Sequence, residues 1–130
     1  MKKYITRLLP ILLVVVALSS CRNKPDLTAF PNVVYSPKSG DTTSIGVKQI
    51  FTANCTTSGC HNSSDGETFS LETYEEVVKG EMVIPGNANG SRLYRCIANR
   101  QGPMMPPNGP MTSEAIKSIY IWIEQGAKEN

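Results

Sequence analysis

The sequence predicts a small all-α domain of about four short helices joined by long loops. Four segments place apolar residues three and four positions apart, as on one face of a helix, and no segment alternates apolar and polar residues like a strand. The connections between these segments are rich in proline, glycine and short polar residues. A length of 130 residues allows one domain and excludes a large two-domain enzyme.

Residues 1–20 have the pattern of an export signal. A basic start precedes an unbroken apolar run over residues 8–18, which is too short to span a bilayer, and the run ends in Leu-Ser-Ser before Cys21. This ending resembles the lipobox of bacterial lipoproteins, in which the cysteine becomes the first residue and carries the lipid. We therefore expect Cys21 to anchor an exported protein to a membrane, on its periplasmic or outer-membrane face. The alternative is an ordinary signal peptide cut near Ser20, with Cys21 incidental.

The charge and apolar content change once this segment is removed. The whole chain has 13 basic and 11 acidic residues, a net charge of +2, whereas residues 21–130 carry ten basic and eleven acidic residues, a net charge of −1. This balance excludes a nucleic acid as an electrostatic partner. Only about 35% of the remaining residues are apolar, so we expect a disulfide or a cofactor to help build the core.

Residues 21–42 are expected to form the lipidated N-terminus and a proline-containing tether. They hold widely spaced prolines and no helical period, and the domain proper is predicted to occupy residues 43–130. The alternative is that this segment is a strap whose apolar side chains pack onto the domain. Those side chains are Phe30, Val33, Val34 and Tyr35.

Four helices follow in order along the predicted domain. The first leads directly into Cys55, with Val47, Ile50, Phe51 and Asn54 on one face and its N-cap among residues 42–44. Ser70, Ser91 and Thr112 are candidate N-caps of the other three, and Gly80 and Gly126 are candidate stops of the second and the last. Residues 101–110 hold four prolines and two glycines and are therefore predicted to be irregular.

The segment with the clearest chemistry is Cys55-Thr-Thr-Ser-Gly-Cys60-His61, which ends in the single histidine of the chain. Covalent haem attachment uses two thiols that bond the vinyl groups and a histidine, directly after the second thiol, that coordinates the iron. The usual signature is C-x-x-C-H, and here the gap is four residues. Gly59 could let the longer loop fold back so that both sulfurs reach the vinyl groups.

Two other interpretations of these residues compete with haem. A disulfide framework would leave one of Cys55, Cys60 and Cys96 over, and it gives His61 no role. A structural zinc site would need the adjacent Cys60 and His61 to turn onto one metal ion together with Cys55 and Cys96. Typical zinc spacings separate such ligands by two or more residues.

A haem iron held by His61 needs a second axial ligand of another kind. Methionine is the natural candidate, because a thioether favours ferrous iron and raises the reduction potential. Methionines on helix faces are usually core residues, whereas Met104 and Met105 lie together in the proline-rich loop. The candidates after the signal segment are Met82, Met104, Met105 and Met111.

The order of helix, thiol pair, histidine, Met-Pro loop and amphipathic C-terminal helix resembles a small class I cytochrome c. Over about residues 43–130, four elements are similar to the planctomycete-type cytochrome c domain: Val83-Ile-Pro-Gly, Ser91-Arg-Leu-Tyr, Met105-Pro-Pro and Ile121-Trp-Ile-Glu-Gln-Gly-Ala127. The resemblance implies a small domain folded around one covalent haem c. It places the distal ligand at Met105, with Met104 as the alternative, and the proximal ligand at His61.

The resemblance leaves the role of Cys55 open. The favoured arrangement has two thioethers, from Cys55 and Cys60, and leaves Cys96 as a buried thiol. The alternative joins Cys55 to Cys96 and attaches the haem through Cys60 alone. Leu93, Ile97, Ile119, Trp122 and Ile123 are the expected apolar walls around the haem.

One-electron transfer with redox partner proteins is the expected function, at a membrane reached through the lipid on Cys21. With methionine in the sixth position a substrate cannot easily reach the iron, so we expect an electron carrier and not an enzyme. Peroxidase-like activity would require the loss of that methionine. The alternative function is a haem-free, disulfide-stapled lipoprotein that acts as a binding or assembly module.

Overall fold

The structure is a computed structural model that describes residues 26–30, 32–57, 59–64, 69–79 and 82–129. The predicted signal segment, Cys21 and Gly80 lie outside the described residues. Within the described part of the chain, no helix is both long enough and apolar enough to cross a membrane.

Short α-helices form the framework of the described chain, as the sequence predicts. A single 3-10 turn precedes them at Leu27–Ala29. The helices are α1 at Val47–Asn54, α2 at Tyr74–Lys79, α3 at Arg92–Ile97 and α4 at Ser113–Glu124. This content is compatible with a small, mostly helical domain.

The start of α1 differs from the prediction because a short β-ladder precedes it. Its N-cap is Gly46, so the prediction of a cap among residues 42–44 is wrong. Those residues instead form a turn in which one carboxylate oxygen of Asp41 accepts hydrogen bonds from the backbone N–H groups of Thr43 and Ser44, at 2.8 and 3.2 Å. This turn delivers the chain into the ladder.

The other helix starts follow the predictions in part. Thr112 caps α4 by accepting a hydrogen bond from the Ala115 N–H at 3.2 Å, which confirms that prediction. Ser91 lies at the N-cap of α3, but its hydroxyl bonds the Ile84 N–H at 2.8 Å and not the helix. Ser70 is not a cap, because α2 begins at Tyr74, four residues later.

Thr73 and Glu76 form the capping pair of α2. The Glu76 carboxylate accepts from the Thr73 N–H at 2.9 Å, and the Thr73 hydroxyl accepts from the Glu76 N–H at 3.3 Å. Ser70 adds to this pair by donating its hydroxyl to the same carboxylate at 2.9 Å. The hydrogen bonds that the carboxylate accepts from Ser70 and from Thr73 hold the pKa of Glu76 below its usual value, with the bond from Ser70 contributing most.

The segment predicted as a tether is packed against the helices over residues 33–35. β1 at Val33–Val34 pairs in parallel with β2 at Ile45–Gly46, with Val33 opposite Ile45. Val33, Val34 and Tyr35 are buried, as the strap alternative expects of them. We call residues 32–42 the strap from here on.

The core lies where the strap, α1 and α4 meet. Its largest fully buried side chains include Phe51 from α1 and Trp122, Ile119 and Ile123 from α4. The Tyr35 ring of the strap lies 5.3 Å from the Tyr74 ring and 5.8 Å from the Trp122 ring, centroid to centroid. The strap is therefore part of the core.

Candidate functional site

One cavity of about 170 Å³ gathers the residues that the sequence singled out. It is lined by Asn54, Cys55, Gly59, Cys60, His61, Met105, Pro106 and Pro107. Both thiols, the imidazole and one thioether therefore face the same small space. Met104 is 36% exposed and does not line it.

The loop between the two thiols is closed by its own backbone. The His61 N–H donates to the Cys55 carbonyl at 2.9 Å, and the Cys60 N–H donates to the Thr57 carbonyl at 3.0 Å. Gly59 has a φ of +79°, a conformation that costs other residues about 1–2 kcal/mol. This glycine therefore lets a loop of four intervening residues return Cys60 and His61 to the end of α1, as the sequence predicts.

The His61 ring is oriented by Phe69. Its Nδ1 lies 3.2 Å from the Phe69 carbonyl oxygen, and the two rings stack with centroids 4.5 Å apart. Because a carbonyl oxygen only accepts, a neutral imidazole in this contact carries its proton on Nδ1, which leaves the Nε2 lone pair for a metal. A hydrogen bond from the second ring nitrogen is what orients most metal-ligating histidines.

The two thiols differ in their surroundings. Burial, with a contribution from the neighbouring Cys60 thiol, raises the pKa of Cys55 to about 11, so Cys55 is protonated at neutral pH. Cys60 is half-buried, and its sulfur lies 3.4 Å from the Thr57 hydroxyl. Cys55 and Cys60 are not joined in a disulfide.

Met105 is held by the loop between α3 and α4. Its N–H donates to the Cys96 carbonyl at the end of α3, at 3.3 Å, and its half-buried side chain packs against the core. Met82 and Met111 are 6% and 7% exposed and belong to the core. The structure thus separates Met105 from the other three methionines by its position on the cavity.

The described residues form neither the zinc site nor the disulfide that compete with the haem interpretation. No group of three or more His, Cys, Asp or Glu side chains in the described part of the chain could hold a metal ion, so the four-ligand zinc site is absent there. Cys96 is buried, and neither it nor Cys55 forms a disulfide.

The predicted apolar walls are buried, but they do not line the cavity. All five side chains are at most 4% exposed and belong to the core; they are Leu93, Ile97, Ile119, Trp122 and Ile123. Sequence reasoning also missed Phe69. The signal available for it was an aromatic residue that closes an otherwise polar loop, and this does not reveal a backbone carbonyl as the partner of His61.

A small, mostly helical domain with two thiols, an imidazole and a thioether around one cavity is compatible with a small c-type cytochrome. Residues 58–109 match the family model described as Planctomycete cytochrome C. The match covers less than half of the chain and shows that this stretch is similar to a planctomycete-type cytochrome c domain. It includes Cys60, His61 and Met105 and begins after Cys55. Neither the curated proteins nor the solved structures contain a match to the chain.

The donor set at the cavity fits the covalent haem that this family implies. It offers thiols for attachment, an imidazole whose Nε2 lone pair is available, and a thioether. At about 170 Å³ the cavity is smaller than the roughly 300–1,000 Å³ of ordinary small-molecule pockets, so a macrocycle would extend beyond its lining.

Proposed function

We propose that this protein is a mono-haem c-type cytochrome lipoprotein that transfers single electrons at an exported membrane surface. The observation that carries the proposal is the cavity at which Cys55, Cys60, His61 and Met105 meet, with the His61 Nδ1 already bonded to a carbonyl. When bound, the haem supplies the Fe(III)/Fe(II) couple.

Each side chain at the cavity has a separate role in this proposal. Cys60 and Cys55 hold the haem by thioether bonds, and His61 binds the iron through Nε2 while Phe69 fixes its ring. Met105 would supply a thioether sulfur as a second ligand, which favours the reduced state. With that ligand in place a substrate could not easily reach the iron, so the protein is proposed to be an electron carrier and not a peroxidase.

A pair of methionine variants tests the proposal. The chain is produced in a host with cytochrome maturation, and covalent haem is measured by the pyridine haemochrome assay. Met105→Ala should lose the weak near-infrared Met–iron band and lower the reduction potential, whereas the exposed neighbour variant Met104→Ala should keep both. Absence of covalent haem from the parent chain would refute the proposal, and loss of the band in Met104→Ala alone would move the ligand to Met104.

The number of thioether bonds is settled by mass spectrometry under denaturing conditions. We expect parent haem peptides that contain both Cys55 and Cys60, because both thiols line the cavity. A Cys55→Ser variant that keeps its haem, together with a Cys55–Cys96 disulfide peptide in the parent, would instead show attachment through Cys60 alone.

The membrane anchor is a separate part of the proposal and rests on the sequence around Cys21. A Cys21→Ser variant should move from the membrane fraction to the soluble fraction without a change in its visible spectrum. Retention of this variant in the membrane fraction would show that the lipid on Cys21 is not the anchor.

A further inference from the structure

Helix α3 lies between two clefts that share no lining residue with the cavity of the thiols. The first, of about 650 Å³, lies between α2 and α3 and is called the α2 cleft; its lining includes Val83, Ile84, Lys79, Arg92 and Arg95. The second, of about 530 Å³, lies between α3 and α4 and is called the α4 cleft; its lining includes Tyr94, Ile116, Tyr120, Arg100 and Lys117.

All the charged residues that line the two clefts are basic. Five of the eight lysines and arginines in the described residues line them, and none of their lining residues is acidic. Residues 21–130 as a whole carry a net charge of −1, so this surface is strongly unlike the average of the chain. A concentration of one charge around concave surfaces raises the local concentration of oppositely charged groups.

Two of these cations have no partner among the described residues. Lys79 and Arg92 are exposed, and neither forms a hydrogen bond or ion pair with a described residue. Arg95 keeps most of its donors available as well, because its guanidinium makes one hydrogen bond, to the Gly90 carbonyl at 2.6 Å. The α2 cleft therefore presents three cations that a partner can pair.

The α2 cleft also has an apolar component. Val83 forms a buried part of its wall, whereas Ile84 is 46% exposed, one of the most exposed large apolar side chains in the described chain. Apolar contacts inside a charged rim are typical of protein–protein interfaces. A layer of lipid headgroups presents phosphates on a flat surface and has nothing to project into a concave wall, so the shape favours a protein.

We propose that the α2 cleft is a docking surface for an acidic segment of a partner protein, in which carboxylates pair with Lys79, Arg92 and Arg95 and an apolar side chain contacts Ile84. The proposal goes beyond electron transfer, because the cleft shares no lining residue with the thiol cavity. It predicts a partner that binds residues other than those that would hold the iron.

The test uses a short fluorescent peptide of glutamates with central leucines as the probe, and the purified chain at low ionic strength. The double variant Lys79→Gln/Arg92→Gln should weaken binding about fivefold or more, because two exposed cations are lost. The matched control, Lys38→Gln/Lys48→Gln, removes the same charge from exposed positions outside both clefts and should change binding less than twofold. Binding of the parent chain should fall as salt is added.

Three results would overturn the proposal. In the first, the peptide does not bind the parent chain. In the second, both double variants weaken binding equally, which indicates a response to net charge alone. In the third, the chain binds phosphatidylglycerol vesicles through Lys79 and Arg92 but does not bind the peptide, which indicates a membrane surface. All measurements are made on the purified parent chain, with its covalent haem content recorded by the pyridine haemochrome assay. Peptide binding by a parent chain that carries no covalent haem would support this proposal and refute the function proposed for the thiol cavity, so the two proposals fail separately.

Discussion

The Tyr35 hydroxyl is the buried side-chain polar atom without a hydrogen-bond partner among the described residues. The ring belongs to the strap and packs against Tyr74 and Trp122, so its apolar contacts are good while its hydroxyl is desolvated. Such an orphaned group destabilises the folded state by about 1–3 kcal/mol. Burial, with smaller contributions from nearby acidic residues, raises the pKa of Tyr35 to about 12.

Removing this hydroxyl should stabilise the protein. Tyr35→Phe is expected to raise the free energy of unfolding by about 1 kcal/mol, because the ring contacts remain and the orphaned group is gone. The matched variant Tyr74→Phe should lower it by about 1 kcal/mol, since the Tyr74 hydroxyl donates to the Ala127 carbonyl at 2.9 Å. Urea unfolding measures both, and a loss of stability in Tyr35→Phe would show that the hydroxyl has a partner.

The same tyrosine should make stability depend on alkaline pH. A pKa raised above the ordinary value of 10 means that the unfolded chain releases the phenolic proton first. Stability is therefore complete below about pH 10 and is lost as the pH rises towards 12. Unfolding of the parent and of Tyr35→Phe at pH 8 and pH 11 checks this, and the stability advantage of the variant should be larger at pH 11.

At the scale of elements, the loop between the thiols depends on the left-handed conformation of Gly59. Gly86, in the connection between α2 and α3, has a similar φ of +77°, and a Cβ added at either glycine would meet nothing within 4 Å. Gly59→Ala and Gly86→Ala should therefore each destabilise the fold by about 1 kcal/mol through backbone strain alone.

Only the first of these variants should affect haem attachment. Gly59 directs the turn that returns Cys60 and His61 to Cys55, whereas Gly86 lies outside the cavity lining. We expect less covalent haem per chain in Gly59→Ala and the parent level in Gly86→Ala, measured by the pyridine haemochrome assay. Equal haem content in the two variants would mean that the turn at residue 59 does not position the thiols.

The start of a helix was predictable where neighbouring residues in the sequence determine it. Thr112 directly precedes α4 and accepts a hydrogen bond from its first turn, so the capping rule finds it. Ser91 occupies the same position in α3, but its hydroxyl bonds Ile84 of the preceding connection, a tertiary contact that no local rule contains. The prediction of where α1 begins failed for a related reason, because residues 45–46 pair with strap residues that lie twelve positions earlier in the chain.

The candidate site was predictable where its functional side chains follow one another closely in the sequence. The two thiols and His61 follow one another in the chain, and the structure brings Met105 to the same cavity. Phe69 could not be found, because its contribution is a backbone carbonyl, which every residue possesses. Helical spacing also identified the five predicted apolar walls as buried side chains, but it does not show what they surround.

At the scale of the whole molecule, the strap makes the domain depend on residues that do not line the thiol cavity. Val33 is 4% exposed and pairs in the ladder, whereas Ser36, three residues later, is exposed. Val33→Asp should destabilise the protein by about 3 kcal/mol or more, because it buries a charge without a partner. Ser36→Asp should change stability by less than about 0.5 kcal/mol.

Thermal unfolding distinguishes an integral strap from an accessory one. If the strap folds with the helices, Val33→Asp lowers the single midpoint of unfolding seen by both near- and far-ultraviolet circular dichroism. A variant with unchanged helix melting and a separate early transition would show that the strap is a detachable layer and not part of the core.

The burial of Val33, Val34 and Tyr35 also limits how far the core can lie from a lipid on Cys21. A lipid on Cys21 would be joined to the core by the chain up to Val33, about half the length of a tether that ends at residue 42. Phe30 also packs against the core and Leu27–Ala29 form a 3-10 turn, so the spacer is shorter still. If the lipid is on Cys21 as proposed, the domain would stay close to the bilayer, and an electron partner would have to approach the membrane.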